Sequence, residues 1–112
     1  RNTVAKMKRG MLLVNTARGA CVDTQAVIDG IESGIISGYA ADVYEYERGV
    51  FFEDYSNKEL KDSLLLKLMA MPQVLITPHQ AFFTETALQN MAMNVFENLD
   101  RFENTGSPSH PV

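Results

Sequence analysis

The chain has 112 residues, of which 46% are hydrophobic and 21% charged, so its composition suits one globular domain or part of one. Its net charge of −4 argues against a nucleic-acid partner, because no basic stretch is present to neutralise phosphates. The lone Cys21 cannot form an internal disulfide, which favours the cytoplasm, and no apolar run reaches the ~18 residues that a membrane helix needs.

Helix and strand patterns alternate along the chain. Residues 1–10 have the pattern of a helix end that is capped by Gly10. Short apolar runs predict three strands, at residues 11–15, 38–43 and 74–77. Apolar residues at helical spacing predict helices at residues 24–34, at 56–71 and from Thr84 or Glu85 onwards. Ser56 and Glu59 have the spacing of a capping box and so mark the predicted start of the second of these helices.

Alternating strands and helices predict parallel β-α-β units that are joined by right-handed crossovers. We therefore expect an α/β fold with a parallel sheet and a long C-terminal helix. Residues 1–104 contain no repeat and no sign of an internal boundary, so they are expected to form one domain. Residues 105–112, TGSPSHPV, are expected to be a flexible tail.

Polar residues follow each predicted strand, at the edge where open α/β sheets bind their ligands. Arg18 follows the first strand, Asp42 ends the second with Glu45 and Glu47 just beyond it, and His79 follows the third. Each of these residues, taken alone, is more simply explained as a solvated loop residue or a turn cap. Because the predicted topology brings all of them to one edge of the sheet, together they predict a site there.

The residue types at this edge suit a reaction at a carbonyl or hydroxyl group next to a carboxylate. An arginine can hold a carboxylate through two parallel hydrogen bonds. A histidine can give or take a proton near neutral pH, and a neighbouring carboxylate orients its ring and stabilises its charged form. The set therefore indicates a 2-keto acid or 2-hydroxy acid as the substrate, and no metal site is predicted.

The motifs VNTARG, ADVYEYE and TPH occur in the order and at the spacing typical of the NAD-dependent D-2-hydroxyacid dehydrogenases, and the chain resembles that family from about residue 4 to residue 104. Within the family, YEYERGVFFEDYSN and HQAFFT are most similar to the fermentative D-lactate dehydrogenases. The resemblance implies a Rossmann-like doubly wound sheet and NAD as the cofactor. It also implies hydride transfer between NADH and a small 2-keto acid such as pyruvate, in a homo-oligomer.

The resemblance further implies a role for individual residues. It implies that Arg18 contacts the carboxylate and carbonyl of the substrate and that His79 donates the proton to the keto acid. The glutamate that pairs with this histidine lies five residues after the aspartate of ADVYEYE, which selects Glu47 and not Glu45.

The cofactor-binding residues implied by the resemblance lie in the same segments. Thr16, Ala17 and Arg18 would touch the nicotinamide half of NAD, and Asp42 would lie near the nicotinamide ring.

The chain also departs from the family pattern, because it contains no G-x-G-x-x-G loop and no acidic residue that reads the adenosine ribose. We therefore expect it to correspond to the C-terminal third of such an enzyme and to be inactive in isolation. Two alternatives stay open: an NAD-sensing co-regulator or binding protein on the same fold, and a structural fragment without activity. The acidic charge and the FFEDYSN segment favour the enzyme.

Overall fold

The computed structural model describes residues 3–109 and divides the chain into two compact units, Arg1–Gln80 and Ala81–Val112. Among the described residues, no helix combines the length and the apolar composition that crossing a lipid bilayer requires.

The first unit contains a sheet of three parallel strands in the order β1-β2-β3. The strands are β1 (Met11–Asn15), β2 (Ile36–Ala41) and β3 (Val74–Ile76). Asn15 pairs with Ala41, and Ala41 pairs with Ile76, so the last residues of all three strands lie side by side. This arrangement confirms the predicted α/β fold and creates one carboxyl edge, at which three loops meet.

Two helices, α1 (Thr24–Glu32) and α2 (Ser63–Met69), pack on the sheet and build the core. The core cluster contains residues of both helices and of β2: Val27, Ile28, Ile31, Ile36, Tyr39, Ala41 and Leu68. Burial of each large aliphatic side chain of this cluster contributes roughly 1.5–3 kcal/mol to folding. The strand residues that alternate with the core positions, Leu12, Val14 and Leu75, are exposed.

The predicted start of α2 at Ser56 is wrong, because the helix begins at Ser63 with Asp62 as its N-cap. The side chain of Asp62 accepts a hydrogen bond from the Leu65 amide at 2.9 Å and another from the Tyr44 hydroxyl at 2.8 Å. The Ser56 amide instead donates to the Asp54 side chain in a local turn. The helix begins directly after Asp62 because the Asp62 side chain both caps the first turn and accepts a hydrogen bond from the buried Tyr44.

Two further boundaries differ from the prediction. Of the first ten residues, those that the structure describes contain a short 3₁₀ turn, Val4–Lys6, where the end of an α-helix was expected. Strand β2 begins two residues earlier than predicted, because its pairing with β1 starts at Ile36. Gly10 has a left-handed backbone, with a φ of 80°, but it is not the predicted helix cap, because the 3₁₀ turn ends at Lys6 and its cap is Met7.

In the second unit, residues 81–109 contain one helix, α3 (Glu85–Thr105). The Thr84 side chain caps its first turn by accepting a hydrogen bond from the Ala87 amide, which confirms the predicted start. The helix ends at Gly106, whose φ of 73° closes the last turn. The expected division into residues 1–104 and a tail at 105–112 stays a prediction, and residues 110–112 of that tail lie outside the described residues.

Candidate active site

The loop after β1 is shaped by the side chain of Asn15, which is buried at the end of the strand. Its amide nitrogen donates to the Arg18 carbonyl at 3.0 Å, and its amide oxygen accepts from the Ala17 nitrogen at 3.2 Å. These two bonds close a tight turn that leaves Thr16, Ala17 and Arg18 exposed. Sequence reasoning missed Asn15, although an asparagine at the end of an apolar strand is itself a signal for a turn closed by its side chain.

Gly19 brings the loop after β1 against the loop after β2. A side-chain carbon at Gly19 would collide with the backbone carbonyl of Tyr44, so only glycine permits this approach. The two loops border an open cleft of about 400 Å³, and Arg18 and Glu47 both line it. The guanidinium of Arg18 donates to the Ala17 carbonyl at 2.7 Å and is otherwise exposed in this cleft.

Glu47 is the carboxylate that contacts His79. Its Oε1 atom lies 3.2 Å from Nδ1 of His79, and its Oε2 atom accepts a hydrogen bond from the Tyr44 amide at 3.1 Å. Both side chains are about one-third exposed, at 29% for Glu47 and 34% for His79. Because the backbone holds one carboxylate oxygen, the other is directed at the imidazole.

Glu45 has a different partner. Its Oε2 atom accepts a hydrogen bond from the amide of Thr24 at 3.1 Å, at the first residue of α1. A carboxylate at that position also interacts favourably with the helix dipole. The negative charge of Glu45 raises the pKa of Tyr46, which lines the same cleft. The geometry thus pairs His79 with Glu47 and ties Glu45 to a helix start.

Asp42 is buried at the end of β2, and its carboxylate holds the turn that carries His79. One carboxylate oxygen accepts hydrogen bonds from the Thr77 hydroxyl and from the Gln80 amide, the latter at 2.8 Å. The backbone carbonyl of Asp42 accepts from the His79 amide, also at 2.8 Å. Thr77 and Gln80 were not singled out in the sequence, because their contacts to Asp42 bridge two strands and have no local pattern.

His79 itself has a backbone φ of 54°, in the left-handed region that non-glycine residues rarely adopt. The hydrogen bonds from residues 77, 79 and 80 to Asp42 hold it there. Because Nδ1 of His79 contacts the Glu47 carboxylate, Nε2 is the ring atom that can exchange a proton with a ligand. The aromatic ring of Phe52 lies beside the imidazole, with the two ring centroids 6.2 Å apart.

The first unit therefore brings together two of the three residues expected to be catalytic, Glu47 and His79, in direct contact. It places the third, Arg18, on the wall of the cleft that Glu47 also lines. Within residues 3–109, no group of three or more His, Cys, Asp or Glu side chains is arranged to hold a metal ion. The arrangement can bind an anionic group through the arginine and transfer a proton through the histidine.

The chain is similar to known 2-hydroxyacid dehydrogenases in sequence and in structure. Residues 1–81 match the model of the D-isomer specific 2-hydroxyacid dehydrogenase family, NAD binding domain. The chain is 52% identical over 96 residues to the D-lactate dehydrogenase of Lactobacillus delbrueckii subsp. bulgaricus. This alignment covers 86% of this chain and 29% of that protein. It is 45% identical over 107 residues to an aromatic 2-oxoacid reductase of Clostridium sporogenes, covering 96% of this chain and 32% of that protein.

A solved structure of a D-lactate dehydrogenase from a Sporolactobacillus species superposes on the chain with a TM-score of 0.93 and 36% sequence identity, over 99% of this chain and 33% of that one. The chain thus spans about a third of the length of these relatives. The match of the family model over most of the chain, together with the superposition, confirms the resemblance seen in the motifs. The chain belongs to the D-isomer specific 2-hydroxyacid dehydrogenase family, whose NAD-binding domain it matches over residues 1–81.

Proposed function

We propose that this chain supplies the proton-transfer residues of an NAD-dependent D-2-hydroxyacid dehydrogenase, and that the full-length protein reduces a small 2-keto acid, foremost pyruvate to D-lactate. The observation that carries the proposal is the contact between His79 and Glu47 at the carboxyl edge of the sheet. Arg18 lines the cleft that Glu47 also lines and offers the charge that a substrate carboxylate needs.

In the proposed reaction, the two ends of the keto acid are handled by different residues. The guanidinium of Arg18 binds the carboxylate and polarises the adjacent carbonyl. His79 gives its proton to the carbonyl oxygen as that oxygen becomes a hydroxyl group, and Glu47 stabilises the imidazolium before the transfer. Bound NADH would supply the hydride that reduces the carbonyl carbon.

The residues at the carboxyl edge fit the nicotinamide half of NAD. The turn closed by Asn15 exposes Thr16 and Ala17 beside the cleft, and the edge is where parallel α/β sheets bind nucleotides. We propose that these two residues and Arg18 contact that half of the cofactor, and that Asp42 lies near the nicotinamide ring. The phosphate-binding G-x-G-x-x-G loop is not among the 112 residues, so the remainder of NAD would be held by other segments of the full-length protein.

Pyruvate is the first candidate because the 52% identical relative is a D-lactate dehydrogenase. A 45% identical relative reduces aromatic 2-oxoacids, so the shared chemistry is the 2-keto acid and the side chain is the variable part. We also propose that residues 1–104 act as one part of a cytoplasmic homo-oligomer, with residues 105–112 as a tail. Light scattering of the full-length protein measures the oligomeric state directly.

The test is the oxidation of NADH by the full-length protein with pyruvate, phenylpyruvate and 2-ketoisocaproate, and the reverse reaction with D-lactate and L-lactate. We expect turnover with pyruvate and with D-lactate, and none with L-lactate. Turnover confined to L-lactate, or no turnover with any of these acids, would contradict the proposal. Tight NADH binding without turnover would instead favour the co-regulator alternative.

A further inference from the structure

Two non-glycine residues have a positive φ among residues 3–109, and their rings lie side by side. These residues are Phe52, with a φ of 64°, and His79, with a φ of 54°. Their ring centroids are 6.2 Å apart and their planes are inclined by 39°. A bulky side chain in the left-handed region loses stability, and such conformations persist mostly at functional sites.

Core packing does not account for the conformation of Phe52. Its side chain is 76% exposed, whereas the neighbouring Phe51 is 9% exposed and packs in a cluster with Tyr44 and Leu65. Phe51 therefore anchors this segment, and the strained Phe52 gains little from burial. The contact that distinguishes Phe52 is the one to His79.

The segment between Glu47 and Tyr55 is held by its own hydrogen bonds. The Glu47 carbonyl accepts from the amides of Val50 and Phe51, at 3.1 and 2.9 Å. The Tyr55 hydroxyl donates to the Gly49 carbonyl at 2.6 Å. These bonds fix the spacing between Glu47 and Phe52, so that one short segment contacts the His79 imidazole twice, through a carboxylate at Nδ1 and through an aromatic ring.

We propose that Phe52 is a positioning residue for His79. Its ring restricts rotation of the imidazole and keeps Nδ1 on Glu47, which leaves Nε2 directed at the bound keto acid. The left-handed backbone at Phe52 is what brings the ring to that place. This role rests on the proposed function of His79 as the proton donor, and it adds a residue that acts through His79 and not on the substrate.

The kinetic test uses four variants of the full-length protein: Phe52→Tyr, Phe52→Leu, Phe52→Ala and Phe52→Gly. Phe52→Tyr keeps the ring and should retain kcat within about twofold. The other three lose the ring, and kcat for pyruvate should fall roughly ten- to a hundredfold, because a small displacement of a catalytic group has effects of this size. KM for NADH should stay unchanged in all four.

The thermal test separates positioning from folding. Phe52→Ala keeps the strained backbone, whereas Phe52→Gly removes the strain, so the glycine variant should have the higher Tm of the two and one at or above that of the wild type. A protein that is as stable as the wild type but has lost kcat is what a positioning role requires. If kcat of the Phe52→Gly variant equals that of the wild type, or if kcat follows Tm across the four variants, the positioning role is refuted.

A readout without turnover separates this inference from the proposed function. Nitrogen NMR of 15N-histidine-labelled full-length protein, with the His79 signal assigned by a His79→Gln variant, reports which ring nitrogen carries the proton. For the neutral imidazole, we expect one tautomer, protonated at Nδ1, in the wild type and in Phe52→Tyr, and a mixture in Phe52→Gly. An unaltered tautomer in Phe52→Gly overturns the inference, whereas a wild type that reduces no 2-keto acid overturns the proposed function only.

Discussion

Glu47 holds His79 and the protein backbone with different oxygen atoms: Oε1 lies 3.2 Å from Nδ1 of the imidazole, while Oε2 accepts from the Tyr44 amide at 3.1 Å. This double engagement limits rotation of the carboxylate and gives the histidine a negative partner in one direction only. Glu45, two residues earlier in the chain, binds the start of α1 instead. The two glutamates therefore have separable effects.

The first prediction is that Glu47→Gln lowers kcat for pyruvate reduction by roughly 10²-fold or more, the lower end of what positioned acid-base catalysis contributes. Glutamine gives the His79 ring no negatively charged partner at Nδ1, so the proton donor is less well oriented and stabilised. Glu45→Gln is the matched control and should leave kcat nearly unchanged, with at most a small loss of stability. Equal losses of kcat in both variants would mean that the wrong glutamate was chosen.

The second prediction is that Arg18→Lys weakens pyruvate reduction while the fold survives. The lysine keeps the positive charge but cannot form the two parallel hydrogen bonds of a guanidinium to a carboxylate. The loss of such transition-state contacts costs roughly 2–4 kcal/mol in kcat/KM. Circular dichroism should be unchanged because Arg18 is exposed and bonds locally. Arg48→Lys, in the same cleft, is the control, and a larger effect at Arg48 than at Arg18 would reassign the substrate-binding arginine.

The third prediction concerns the hydroxyl group of Thr77, which donates to the buried carboxylate of Asp42. Thr77→Val removes this donor, and leaving a buried acceptor short of one partner costs about 1–3 kcal/mol of folding free energy. Urea denaturation measures this loss, and Thr77→Ser should restore most of it. Activity should fall with Thr77→Val because the same turn carries His79. A valine variant as stable and active as the wild type would show that the contact is dispensable.

The fourth prediction follows from Tyr44, whose pKa is raised above its ordinary value of 10.0 by burial and by its hydrogen bond to Asp62. Because the pKa of Tyr44 is higher in the folded than in the unfolded protein, the protonated phenol stabilises the fold. This stabilisation is complete below pH ~10 and is lost as the pH rises through the folded pKa. The Tm of the wild type should therefore fall as the pH rises above 10. Tyr44→Phe has no phenol to ionise and should show a smaller fall; an identical fall in both proteins would contradict the assignment.

The fifth prediction is that residues 1–112 alone do not reduce pyruvate. Residues proposed for the chemistry are present, but the phosphate-binding loop that would hold NAD in reach is not among them, and proximity contributes roughly 7–11 kcal/mol to catalysis. The exposed Leu12, Val14 and Leu75 on one sheet face should also promote self-association. Purified chain is assayed for NADH oxidation and for NADH binding by calorimetry. Turnover near that of the full-length protein would contradict the prediction.

The sequence by itself determined the order of the elements and the residues that meet at the carboxyl edge. Apolar periodicity is local, so β1, α1 and the start of α3 at Glu85 follow from their own residues. Arg18 and His79 could be assigned to one edge because parallel strands place their carboxyl ends together. The choice of Glu47 over Glu45 came from the family spacing, since both glutamates lie beyond the end of the strand.

Only the tertiary structure decided the contacts between residues that are distant in the chain. The start of α2 depends on Asp62, which is selected by a hydrogen bond to Tyr44, 18 residues away. The turn of His79 depends on Asp42, 35 residues before Thr77 and 38 before Gln80. Phe52 and His79, whose rings lie side by side, are 27 positions apart and both have a left-handed backbone. Such contacts leave no periodic or local pattern, because they arise when separate loops are brought together at the edge of the sheet.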